Sequence, residues 1–395
     1  MRRSILALAI LLVASTAAAD VAHHRYVVPV GPGPNAKLTI HRVVREDGHG
    51  RQRPRPAILL MHGDFATFET NFTAMADWLA EHDVDVWGLD RRWTQAGDDL
   101  SDFDAMGIDQ ELDDIGLALA FARAVRLVTD GSHDRITLSG FSRGGMLAYF
   151  YASREGAQPA WRRHVKGLVP LDVYASLAPE DEDLRQFNCD NAAREYARLA
   201  AGEVEESNEF QILTGQLAID APDEQSPFFP PFFAVTNREW MLSFVGETYF
   251  YFGATPWYHL NAPVYDDRFF VVGLTMSPED VVARWLAGAP PHQSLREEAD
   301  TDALICGDDP PLDLPLSNIR VPVLALLAAG GYGEAALDST TRTSSTDVTA
   351  LVIRRLPPED VTLDFGHADL LFSPDAPALA WQPLLDWLRD RRAVP

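Results

Sequence analysis

The chain has 395 residues, 47% of them apolar, and a formal net charge of −25. That length fits a core domain carrying one large insertion, and the apolar content excludes wholesale disorder. A chain this acidic repels phosphate backbones and anionic headgroups, which argues against nucleic acid as a partner.

The N-terminus reads as a secretory signal. Arg2 and Arg3 form a positive n-region, Ile5 to Val13 a short apolar run, and Ala17-Ala18-Ala19 ahead of Asp20 a small-residue cleavage site. The apolar run is shorter than the ~20 residues of a spanning helix. Residues 1–19 are therefore expected to be removed. The mature chain is expected to be exported, periplasmic or extracellular, with no stable membrane anchor. Two cysteines, Cys189 and Cys306, are then expected to form one disulfide. No His or Cys cluster has metal-ligand spacing, so no metal and no cofactor are expected.

In chain order, Arg25 to Val30 and Lys37 to Val44 read as strands around Gly31-Pro32-Gly33-Pro34-Asn35. Ala57 to Met61 (AILLM) is a continuous apolar run suited to a strand buried on both faces. Helical spacing follows through Phe72, Met75, Trp78 and Leu79. Val84 to Leu89 is a strand, Ile108 to Val128 a long amphipathic helix, and Arg135 to Ser139 a strand. A helix from Arg143 to Ser153 and a strand from Val165 to Leu171 follow. This alternation argues for a doubly wound parallel sheet. From Asp172 to Leu316 the rhythm breaks. Acidic helical text over Glu180 to Ala200 gives way to aromatic text from Phe228 to Tyr258, through Trp240 and Phe244. The rhythm resumes with strands over Val321 to Leu327, Val348 to Ile353 and Val361 to Phe365. A terminal helix runs through Leu379, Trp381, Leu384 and Trp387. The organisation expected is a core of residues 20–172 and 319–395 interrupted by a cap, or lid, of residues 173–318.

Three motifs carry chemistry. Gly140-Phe141-Ser142-Arg143-Gly144 is G-x-S-x-G between a strand and a helix. There a tight turn would raise the Ser142 hydroxyl above the sheet at a helix N-terminus. His62-Gly63-Asp64-Phe65 follows AILLM. The backbone N–H groups of Asp64 and Arg143 are the expected oxyanion donors. Asp64 is awkward beside a developing oxyanion, so its side chain is expected to turn away onto Arg143 or Arg91. His62 reads as structural. Phe365-Gly366-His367-Ala368-Asp369 lies near the C-terminus, where His367 could reach the serine as general base and Asp369 reads as a loop or helix-cap residue. A base that must hold one tautomer needs a carboxylate. Asp172, at the end of GLVPLD, is the first candidate. Glu334 and Asp338 are alternatives, and Asp347 lies further along the same loop. Asn71-Phe72-Thr73 is a glycosylation sequon that matters only if the source glycosylates proteins.

HGDF, GFSRGG and FGHADLL, in that order, resemble the α/β-hydrolase superfamily, and its capped esterase and lipase branch most. The resemblance covers residues 25–172 and 319–392. It implies a doubly wound, mostly parallel eight-stranded sheet with a large, mainly helical cap insertion. In that family the acid usually follows the strand after the cap, often as an Asp close behind a Gly; here that stretch reads Gly330-Gly331-Tyr332-Gly333-Glu334. Some capped relatives, haloalkane dehalogenase-like enzymes among them, carry the acid at the end of the preceding strand, where Asp172 stands. Ser142 in place of a carboxylate nucleophile argues against a dehalogenase.

The function expected is carboxylic-ester hydrolysis through an acyl-enzyme on Ser142. The aromatic text of the insertion points to a hydrophobic ester as the small-molecule partner. An acyltransferase with the same machinery and a non-catalytic binding protein on the same fold are the alternatives.

Overall fold

The computed structural model describes residues 21–46, 55–252 and 257–391, so the signal-like text of residues 1–19 lies outside it. β1 (Val21–Pro29) and β2 (Lys37–Arg45) pair antiparallel, with Val28 opposite Leu38. The AILLM run forms β3 (Ala57–Met61), buried along its whole length. α1 (Phe68–Glu81) begins at Thr67, whose side chain accepts the Thr70 N–H, and buries Phe68, Phe72, Met75 and Leu79. There follow β4 (Asp85–Asp90), α2 (Ile108–Thr129), β5 (Ile136–Phe141), α3 (Arg143–Gly156) and β6 (Val165–Leu171).

Among the described residues, none between β6 and residue 323 joins this sheet. The insertion is mainly helical. It contains α4 (Glu182–Ala200), β7 (Glu205–Ser207), α5 (Glu209–Asp220), α6 (Asn237–Gly246) and α7 (Thr248–Phe252). β8 (Pro263–Tyr265), β9 (Val271–Leu274), α8 (Glu279–Ala287), β10 (His292–Ser294) and α9 (Leu295–Cys306) complete it. β7 pairs with β10 and β8 with β9 as short ribbons. α4 packs along α9, and a disulfide joins Cys189 of the first to Cys306 of the second. Part of the aromatic text packs within the insertion. Trp240 and Phe244 are buried and pack against Phe210, while Phe232 and Phe233 lie exposed.

β11 (Val323–Ala328), α10 (Leu337–Thr341), β12 (Val348–Ile353), α11 (Asp369–Phe372) and α12 (Gln382–Asp390) return the chain to the core. The eight strands run in the order β1-β2-β4-β3-β5-β6-β11-β12. β2 is antiparallel to both neighbours, and the strands from β4 to β12 are parallel to one another. Alternate residues of each strand feed two cores. Ile58, Leu60 and Val86 pack with Phe72 and Leu384 on one face; Leu59, Met61 and Leu138 pack with Leu112 and Leu147 on the other.

One expected strand is absent. Residues Pro358–Leu363 form tight helical turns instead, and Phe365 is buried without joining the sheet. The Asp364 carboxylate accepts the N–H groups of Arg355 and Phe365, an Asx-type closure that replaces ladder bonds. β12 is therefore the sheet's edge. The parallel strands bring the residues after β3, β5, β6 and β11 to one carboxyl edge, where ligands bind in open α/β sheets.

Candidate active site

Ser142 sits between β5 and α3 with φ 54° and ψ −132°. A non-glycine residue in this conformation is strained and persists only where its surroundings impose it. The sequence imposes it through glycine. A Cβ on Gly144 would lie 2.4 Å from the carbonyl oxygens of Met61 and His62, and one on Gly140 would lie 2.1 Å from the Gly144 oxygen. The turn can close this tightly only without those side chains. Ser142 also caps α3, its carbonyl accepting the N–H groups of Gly145 and Met146 at 2.7 and 3.2 Å.

His367 and Asp172 meet across 195 residues of chain. His367 Nδ1 lies 2.6 Å from Asp172 Oδ2, and both side chains are buried. Asp172 directly follows β6, with φ 43°. Its Oδ1 accepts the N–H groups of Ala328 (2.9 Å) and Gly333 (3.2 Å), and its Oδ2 accepts that of Tyr332 (3.1 Å). The glycine-rich stretch after β11 thus supplies backbone donors rather than an acid. A Cβ on Gly331 would come within 1.9 Å of Asp172 Oδ2, so only glycine lets that loop approach the carboxylate. The other carboxylates considered stand elsewhere. Glu334 is exposed and receives Arg354 at 3.1 Å. Asp338 receives the Ser176 hydroxyl at 2.8 Å and Arg342. Asp347 pairs with Arg391.

The loop carrying His367 is held by the insertion. The N–H groups of His367 and Ala368 donate to the carbonyls of His259 and Leu260 at 3.0 and 2.7 Å. Asp369 is fully buried and organises this junction. It accepts from Gly366 N–H (2.8 Å), Ala262 N–H (2.9 Å), the Asn261 amide (3.0 Å) and the Ser277 hydroxyl (2.5 Å). Burial pushes its pKa up, against those four donors. The His367 ring stacks on Phe141, one residue before the serine, with centroids 4.3 Å apart.

The loop after β3 is fixed at several points. Gly63 N–H donates to Asn71 Oδ1 at 3.0 Å, and Phe65 N–H to Gln293 Oε1 at 2.9 Å. Arg91 donates to the carbonyls of His62 (3.1 Å) and Gly63 (2.6 Å) and pairs with Glu297 of α9. Trp93 donates to the second Glu297 oxygen at 2.8 Å. Among the described residues, the N–H groups of Asp64 and Arg143 have no acceptor, and both residues line the same cavity as Ser142. Asp64 turns its carboxylate onto Arg143 Nε, at 2.8 and 2.9 Å, and onto the Gln293 amide at 2.6 Å. Arg91 does not reach it. His62 is fully buried, with a pKa lowered to about 3 by burial and by Arg91, so it stays neutral and packs edge-on against Trp93. Asn71 of the sequon is also buried, its amide engaged with the loop, and offers no surface for glycosylation. The supporting roles of Asn71, Arg91, Gln293 and Glu297 were not anticipated from sequence. Gln293 and Glu297 lie more than 200 residues from the loop they hold, and no local pattern marks them.

The cavity above Ser142 measures about 320 Å³ and reaches His367, Asp64 and Arg143. Phe141, Phe244, Tyr258, Leu260, Trp285 and Tyr332 give the cavity aromatic and apolar lining, and Asn188, Glu195, Glu298 and Asp302 give it polar and acidic lining. The lining is thus mixed, where the sequence suggested a hydrophobic pocket. The arrangement offers a hydroxyl at a helix N-terminus, two backbone donors near it, and an imidazole on the same cavity oriented by a buried carboxylate. Those are the parts needed for addition to a carbonyl.

The strand order, the turn after β5 and the loop after β12 define an α/β-hydrolase fold. The structure aligns with that of a presumed lipase from Sulfolobus solfataricus at a TM-score of 0.63 and 17% identity, covering 97% of this chain and 99% of that one. It aligns with a hypothetical protein from Pseudomonas aeruginosa at 0.51 and 14%, covering 94% of each chain. A carboxyl esterase from Bacillus coagulans is similar at 0.47 and 13%, over 94% and 99%. No family model and no curated protein matches the sequence.

Proposed function

We propose that the chain is a serine hydrolase of carboxylic esters, with Ser142 as nucleophile, His367 as general base and Asp172 as the orienting acid. The observation that carries this reading is the buried 2.6 Å contact between His367 Nδ1 and Asp172, on a cavity shared with a serine held at positive φ. Asp172 fixes the tautomer that protonates Nδ1 and leaves Nε2 to take the Ser142 proton. The alkoxide attacks the ester carbonyl, and the N–H groups of Asp64 and Arg143 receive the developing oxyanion. His367 returns the proton to the leaving alcohol. Water, deprotonated by the same imidazole, then cleaves the acyl-enzyme and releases the acid. The Cys189–Cys306 bridge supports an oxidising, exported location for the mature chain.

The test is hydrolysis of p-nitrophenyl esters from acetate to palmitate by wild type and Ser142→Ala. Turnover by wild type that vanishes in the variant is the expected result. Wild-type inactivity on every ester, with no covalent labelling by a fluorophosphonate, would overturn the reading.

A further inference from the structure

The polar lining of the cavity comes from two helices of the insertion. On α4, Asn188, Asn191 and Glu195 recur at spacings that share one helix face, and on α9, Glu298 and Asp302 stand one turn apart. Asp64 completes the set from the loop after β3. Four carboxyl groups thus surround a single buried guanidinium, Arg143. Asp64 takes Arg143 Nε, and Asp302 takes Nη1 at 3.1 Å. Glu195 lies 3.6 Å from Arg194 on the rim and feels Arg143 only at longer range, and among the described residues no ion pair reaches Glu298; Arg198 also lines the cavity but is held by Glu203 and Glu206. Glu195 and Glu298 are 5% and 7% exposed, and yet among the described residues Glu195 Oε2 and Glu298 Oε1 meet no hydrogen-bond donor.

A buried carboxyl oxygen without a partner is costly, and a fold tolerates it where something else supplies the donor. Burial favours the protonated form of Glu195 and Glu298, and an entering cation with N–H donors would take the place of those protons. Burial, with Asp64 and Glu195 adding to it and Arg143 opposing, pushes Glu298 well up, while burial and Asp302 push Glu195 to about 8. The Tyr174 ring, also on the cavity, adds an aromatic face of the kind that attracts ammonium groups.

We propose that this wall is a recognition subsite for an organic cation, an alkylammonium group carried by the substrate and seated between Glu195, Glu298 and Asp302. The subsite deepens the ester-hydrolase reading above and rests on it for the reacting end of the molecule. It selects esters that carry an amine over uncharged esters of the same shape. The acidic lining and the aromatic lining then divide the work, one holding the charged end and the other the apolar body.

The experiment compares n-hexylammonium with its uncharged isostere 1-hexanol. Each is titrated calorimetrically into the wild-type protein at pH 8 and assayed as a competitor of p-nitrophenyl butyrate hydrolysis. The ammonium should bind at least about tenfold more tightly than the alcohol, the scale of one charge-assisted hydrogen bond over a neutral one. Glu195→Gln and Glu298→Gln, which preserve shape, should each reduce that ratio toward one. Equal binding of the two ligands by wild type, or a preference that survives both substitutions, overturns the proposal. The calorimetry does not require turnover. Failure of ester hydrolysis alone therefore strikes the reaction assigned above, and loss of the ammonium preference alone strikes the subsite.

Discussion

Asp172→Asn separates the buried dyad from every alternative. Asp172 Oδ1 accepts two backbone N–H groups, from Ala328 and Gly333, while Oδ2 faces Tyr332 N–H and His367 Nδ1. An asparagine must therefore place its carbonyl oxygen at the Oδ1 position, since its NH2 there would face two donors. The NH2 then occupies the Oδ2 position and donates to His367 Nδ1. That selects the tautomer with the proton on Nε2, which cannot accept from Ser142. In Ser-His-Asp hydrolases, holding the wrong tautomer costs about 10⁴ in kcat, or about 5 kcal/mol of barrier. The same swap sets the new NH2 against the Tyr332 N–H, a buried mismatch worth about 1–3 kcal/mol of stability. The assay is kcat on p-nitrophenyl butyrate beside a thermal melt, with Glu334→Gln and Asp338→Asn as parallels. Folded Asp172→Asn is expected to be nearly inactive while the other two turn over as wild type. A folded Asp172→Asn that keeps more than about a tenth of the wild-type kcat would refute the assignment, because no tautomer argument allows it.

Three further outcomes follow from the packing. Glu297→Ala leaves Arg91 buried without its partner and should destabilise the fold by about 3–5 kcal/mol in denaturant melts. Because Arg91 also holds the His62 and Gly63 carbonyls, kcat should fall as well, with little change in KM. Cys189→Ser opens a bridge between residues 117 apart and should cost about 2–5 kcal/mol, read as a lower denaturation midpoint than the oxidised wild type. Glu195 is held up to about 8 by burial and Asp302, with Asp64 adding and Arg143 and Arg194 opposing. Between the ordinary carboxyl pKa and about 8 the unfolded chain releases a proton that the folded one keeps, so stability falls as pH rises through that window. Glu195→Gln should remove part of that fall, raising Tm relative to wild type at pH 8 and leaving it nearly unchanged at pH 4, where both states hold the proton.

Much of the core could be read from residue patterns, because its signals are local. AILLM, the G-x-S-x-G turn and the strand Val165–Leu171 each combine a run of apolar residues with glycines or a terminal polar residue that mark its end. Val361–Phe365 misled because its composition suits a strand, while the Asp364 side chain closes a turn there and the sheet already ends at β12. The choice among Asp172, Glu334 and Asp338 is not local at all. It depends on β11 pairing with β6, which lays the Gly331 loop across Asp172 and sends Glu334 to the surface.

The insertion shows the same limit more sharply. Its aromatic text is conspicuous and suggests an apolar pocket, yet Trp240 and Phe228 pack mainly against one another and Phe210. The acidic text of α4 reads, taken alone, as a solvated helix face. It becomes a cavity wall only when α9 arrives from more than a hundred residues away and sets Glu298 and Asp302 beside Glu195. Charge patterning therefore points to opposite conclusions at the level of the helix and at the level of the fold. A polar stripe that would be neutral to stability in water becomes a cluster of carboxyls short of donors once it is enclosed. That shortage, rather than the apolar surface, is the feature of the cavity that calls for a specific ligand.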